Sequence, residues 1–171
     1  MANDGDKPDT RCVTTRSFDY EFWRDESRAD WKRRGLHFHC HAWRGDARDY
    51  DDEAARQDLT SDLPPVIIRD WLRKPARTIK HVAGTPEDAV TWLRAEWEQV
   101  KSQVGQEAEG VPDDVRFGLA RYDLSCGNDV CLGFWLGSSA YLHLAIVGTS
   151  ANCHAPHRGT EPGGGPRRRS M

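Results

Sequence analysis

Along residues 36–43, LHFHCHAW, apolar and polar side chains alternate at every step: Leu36, Phe38, Cys40 and Ala42 against His37, His39, His41 and Trp43. A period of two is that of a β-strand with one side on a core. SFDYEFW (17–23) alternates in the same way, placing Phe18, Tyr20 and Phe22 together. It predicts a strand able to pair with 36–43 across a charged link. VIIRDWL (66–72) and RTIKHVA (77–83) read as two more strands around the turn RKPA, whose proline cannot donate to a ladder.

The period then changes. Thr85 is a good N-cap, Pro86 suits the first helical turn, and Asp88 stands where a capping box needs an acceptor. Ala89, Leu93, Trp97, Val100 and Val104 follow at helical spacing and predict a helix over about 86–104. In 113–127, Val115, Leu119 and Tyr122 fit a second helix ending at Gly127, although Val115, Phe117 and Leu119 also alternate. VCLGFWL (130–136) and AYLHLAIV (140–147), joined by GSS, predict a β-hairpin. Both its strands are apolar at nearly every position, which predicts a central place with both faces covered.

The expected fold is therefore α+β: a mostly antiparallel sheet of about five to six strands with two helices packed on one face. The expected organisation is a single domain over 16–150, with an acidic flexible loop at 44–65. Polar residues 1–15 and the Pro, Gly and Arg-rich 151–171 are expected to be disordered tails.

Composition removes several function classes. The chain has 171 residues and a net charge of −3, so it lacks the positive field of a non-specific nucleic-acid binder. Its longest apolar stretch has strand length, far short of the roughly 18 residues of a membrane span. The first residues show no apolar signal-like stretch, and five widely spaced cysteines do not form a complete disulfide framework. A cytoplasmic protein with reduced thiols is expected. Seven tryptophans and 19 arginines supply the side chains enriched at interface hot spots. The arginine excess also fits GC-rich coding.

The candidate chemistry is metal binding. His37, His39 and His41 stand roughly 7 Å apart in succession on one strand face. Neighbouring pairs can converge on one Zn²⁺, each nitrogen about 2.0–2.1 Å away. The competing reading is a half-exposed sheet face lying under the 44–65 loop. A weaker set is Cys153, His154 and His157, in CHAPH, with Cys126 and Cys131 upstream. No finger spacing matches, but the C-terminal ligands can fold back to complete a site begun by the histidine strand. The stretch superficially resembles the metal strand of alpha-class carbonic anhydrases, over about eight residues of a much shorter chain, and that identity does not follow. Phosphate loops, nucleophile elbows and His-Glu-x-x-His are absent from the sequence.

GTPEDAVTWLRAEW and GNDVCLGFWLGSSAYLHLAIVGTSANC are similar to segments of small uncharacterised proteins of Streptomyces-type actinobacteria. The resemblance spans about 63–153 and implies a cytoplasmic bacterial protein, with no activity attached. The expected function is a non-enzymatic module that binds another protein. The alternative is a zinc-dependent hydrolase or lyase using two of His37, His39 and His41, with Asp46 or Asp49 as base.

Overall fold

A computed structural model describes residues 28–105 and 110–150. The strand expected at 17–23 and the two tails lie outside them. After a single helical turn, α1 (Asp30–Arg33), comes β1 (Leu36–Asp46). The one-turn helices α2 (Ala47–Asp51) and α3 (Glu53–Gln57) follow, then 3-10 turns at Ile68–Arg73 and Ala76–Thr78, and β2 (Ile79–Ala83). The long helix α4 (Pro86–Val100), the helix α5 (Asp113–Ser125) and the hairpin β3 (Val130–Leu136) and β4 (Ala140–Ser150) complete the chain. Among the described residues, no helix is long and apolar enough to cross a membrane.

The class is α+β, with one antiparallel sheet in the order β2-β1-β4-β3. Its four strands correct the expected five to six. The difference lies partly in VIIRDWL: it forms the turn at Ile68–Arg73, which crosses over the sheet and pairs with nothing. A short apolar run carries no period of its own, and here the burial of a single side chain, Trp71, decides its shape. The hairpin is also less central than expected. β4 lies inside the sheet and is buried from Leu142 to Thr149, while β3 is an edge whose Cys131, Gly133 and Trp135 are exposed.

Both longer helices pack on one face of the sheet. Phe38 and Cys40 of β1, Leu142, Leu144 and Ile146 of β4 and Phe134 of β3 meet Leu93 and Trp97 of α4 and Phe117 and Leu124 of α5. Each such side chain, fully buried, contributes roughly 1.5–3 kcal/mol. Thr85 caps α4 by accepting from the Asp88 amide at 3.1 Å, and the stripe Ala89, Leu93, Trp97, Val100 is buried. Val104, beyond the helix end, instead bridges to Leu136 at the β3 edge. Gly127 ends α5 with φ +78°, a conformation in which any side chain is strained.

Residues 44–65, expected as a loop, hold the end of β1, the short helices α2 and α3, and the start of a crossover that returns to β2. The 47–78 segment covers the sheet face opposite α4 and α5.

Candidate functional site

The register places the histidines. β1 pairs with β4 so that His37 faces Thr149, His39 faces Val147, His41 faces Ala145 and Trp43 faces His143. These side chains share the face away from the helices. A β-bulge between Cys40 and His41 then shifts the pairing with β2, bringing His41 beside Thr78.

This face is roofed at its centre. Trp71 packs on Ala145 and Val147 and stacks against the His41 ring. Tyr50 of α2 lies 6.0 Å from His143 and 4.2 Å from Tyr141, centroid to centroid. Two cations hold the roof together. Arg56 donates to the carbonyls of Pro64 (2.9 Å), Tyr50 (3.1 Å) and Pro65 (3.3 Å), with its guanidinium 4.1 Å over the Tyr50 ring. The buried Lys74 ammonium donates to the carbonyls of Asp58 and Ser61 and to the Ser61 hydroxyl. Burial lowers the pKa of Lys74, because carbonyl dipoles replace water incompletely.

Under the roof the imidazoles are neutral. His41 donates from Nδ1 to the Thr78 carbonyl at 3.1 Å, and burial pushes its pKa down to about 4. His143 is 3.2 Å from the Cys131 sulfur through Nε2; burial, then the nearby Arg56 charge, takes it to about 4 as well. His41 Nε2, His143 Nδ1 and the Trp71 indole N–H have no hydrogen-bond partner among the described residues. Each such buried atom costs about 1–3 kcal/mol, so the middle of the roof is held by aromatic contact.

The predicted ligands separate into groups. His37 and His39 come together, Nε2 to Nε2 at 3.1 Å, at the end of the face nearest Ser150. His41 does not join them: its ring is 6.4 Å from that of His39 and is committed to Thr78 and Trp71. Cys153, His154 and His157 lie outside the described residues. Among the described residues, no group of three or more His, Cys, Asp or Glu side chains is arranged to hold a metal ion. The expected base is misplaced too. Asp46 sits seven residues beyond His39 on the same extended strand, roughly 23 Å away. It caps α2 by accepting from the Arg48 amide at 2.9 Å and pairs with the Arg48 guanidinium. Asp49 is further along, in α2. Neither carboxylate can activate water at a metal held by His37 and His39.

A second feature lies on the other side of the molecule. A cleft of about 880 Å³ runs between α5 and β3, lined by Val104, Val111, Leu119, Asp123, Leu132 and Trp135 among others. Trp135 is 50% exposed and Val111 44%, both large apolar groups beside a strand edge. Arg116 backs the cleft, its guanidinium 4.1 Å over the Trp97 ring. Neither this cleft nor the Cys131–His143 contact is visible as a sequence motif. Both depend on strand order and cross-strand register.

No family model, curated protein or solved structure matches this chain. The fold and these two surfaces define it as an α+β protein with a roofed imidazole face and a cleft beside an edge strand that is unpaired along most of its length among the described residues.

Proposed function

We propose that the protein is a non-enzymatic binding module that takes up an extended segment of a partner protein along β3. The observation that carries this reading is the coincidence of the β3 edge with the cleft beside α5. An edge strand offers main-chain donors and acceptors to an added strand, and adjoining pockets select its alternate side chains. The Val104–Leu136 bridge pairs one end of that edge, and Val130–Phe134, with no further strand partner among the described residues, is the proposed docking length. Trp135, half-exposed on the opposite face of β3 and edge-on to Tyr141, adds an aromatic contact along the same strand edge. Asp123 on the cleft wall favours a segment with apolar residues at alternate positions and a Lys or Arg among them. The cytoplasm suits this role, because Cys40, Cys126 and Cys131 form no disulfide among the described residues.

Selection of peptides from a displayed random library against the full chain tests the reading. Selected sequences should converge on alternating apolar residues with a basic side chain. Leu119→Arg should weaken their binding at least about tenfold, the effect of losing roughly 1.4 kcal/mol. Asp123→Lys should shift the selected charge from basic to acidic. Failure to converge, or convergence that Leu119→Arg leaves intact, overturns the proposal.

A further inference from the structure

We propose that the segment between Ala47 and Thr78 is a lid that opens as a unit on hinges at its two ends, uncovering the imidazole face while the sheet and its two long helices stay folded. The lid is independent of the β3 edge and its cleft. Its first support is the separation of two cores. Trp71, Ile68 and Leu72 pack with Ala145 and Val147 in a small cluster of their own. The main core, from Phe38 and Cys40 to Leu93 and Phe117, lies on the other side of the sheet and takes no side chain from 47–78 among the described residues. Lifting the segment therefore leaves the main core whole, as a locally opening unit requires.

The segment is also bonded chiefly to itself. Arg56 binds the carbonyls of Tyr50, Pro64 and Pro65, Lys74 those of Asp58 and Ser61, and Arg77 that of Thr60. The Ser61 hydroxyl donates to the Ala55 carbonyl at 2.9 Å. All of these bonds move with the segment. Its anchors lie at the ends, where the Ala47 amide donates to the Ser139 carbonyl at 2.8 Å and His41 donates to the Thr78 carbonyl. Between them Tyr50 rests on Tyr141, and Arg69 forms a clasp. The Arg69 guanidinium reaches both Asp129 carboxylate oxygens, at 2.9 and 3.2 Å, and the Gly148 carbonyl at 3.2 Å. Asp129 also accepts from the Gly148 amide at 2.9 Å, so its carboxylate keeps a donor when the clasp releases. Opening gives water to His41 Nε2, His143 Nδ1 and the Trp71 indole N–H, three buried atoms with no hydrogen-bond partner among the described residues.

Two adjacent residues test the lid in one chain: Cys40 lies in the main core and His41 under the lid, on opposite sides of the sheet and each fully buried. Carbethoxylation of His41 by diethyl pyrocarbonate and alkylation of Cys40 by iodoacetamide are followed by peptide mass spectrometry at rising urea. Reagents are kept dilute enough that reclosing outpaces reaction, and each rate is divided by its value in the urea-unfolded chain. On that scale His41 should react at least about tenfold faster than Cys40. Its rate should also rise less steeply with urea, because opening the lid exposes less surface than unfolding the chain. Ile146→Val, in the main core, should raise the Cys40 rate about two- to tenfold and leave His41 unchanged. Arg69→Ala should raise the His41 rate about two- to fivefold, the effect of losing an exposed ion pair. Equal normalised rates for the two residues, a His41 rate that follows Cys40 in Ile146→Val, or one unmoved by Arg69→Ala overturns the proposal.

Discussion

The His41 imidazole lies flat against the Trp71 indole, ring centroids 4.5 Å apart and planes 17° from parallel. That contact turns a strand face rich in histidine into an interior surface. His41 is fully buried and Trp71 is 2% exposed. Trp71→Ala should therefore cost about 3–5 kcal/mol in urea unfolding, the range for removing a buried tryptophan. Trp71→Phe, which keeps an aromatic face over His41, should cost less than half as much. Equal losses would show that the stack contributes nothing beyond filled volume.

Acid should loosen the same region. His143 is held near pKa 4 in the fold, against about 6.5 for an unperturbed histidine. The unfolded chain thus binds the extra proton first. The stability that His143 contributes is fully present above pH ~6.5 and is lost as the pH falls through about 4. The loss amounts to roughly 3 kcal/mol. Denaturant midpoints measured at pH 7, 5.5 and 4.5 should fall progressively, and His143→Gln should make that dependence shallower by roughly half, since His41 is held near 4 by burial as well. Equal slopes for wild type and variant would contradict a buried, neutral His143.

Cys40 points into the helix-side core and is fully buried; burial, with Asp88 nearby, pushes its thiol up to about 12. The thiolate is the reactive form, so alkylating reagents should leave Cys40 untouched in the folded protein at neutral pH. Peptide mapping by mass spectrometry should find Cys126 and Cys131, which are not fully buried, modified before Cys40. Cys40 should react only at the rate of global unfolding. Early modification of Cys40 would place it outside the core.

Gly127→Ala should destabilise the α5–β3 junction by about 1 kcal/mol or more, because φ +78° disfavours any residue with a Cβ. The added methyl would also meet the Arg34 guanidinium, which donates to the Gly127 carbonyl at 2.7 Å. Gly84→Ala, where a Cβ meets nothing within 4 Å, is the control and should cost less. Thermal unfolding of the pair separates the two effects.

Several elements were legible because local chemistry and tertiary demand agree. Thr85, Pro86 and the stripe Ala89–Leu93–Trp97–Val100 specify α4 through capping and period alone. Gly127 marks the end of α5 for a backbone reason that no neighbour alters. The alternation in LHFHCHAW gives a strand with Phe38 and Cys40 on the core side. By contrast, VIIRDWL has high strand propensity and no strand, because Trp71 is used as a lid over His41. A seven-residue, largely apolar run cannot signal whether it joins a sheet or covers one.

What the sequence determined by itself is the set of periodic elements and the side of each that is apolar, since period and capping act within a few residues. Only the tertiary structure decided what the histidines do. Neutral imidazole is polar enough to look solvent-facing and small enough to be buried under an indole, so its fate depends on which distant segment lies above it. The same holds for the place of β3 at the sheet edge and for the pairing of His37 with Thr149 near the end of β4. Strand order and cross-strand register create both, and neither is written in the spacing of nearby residues.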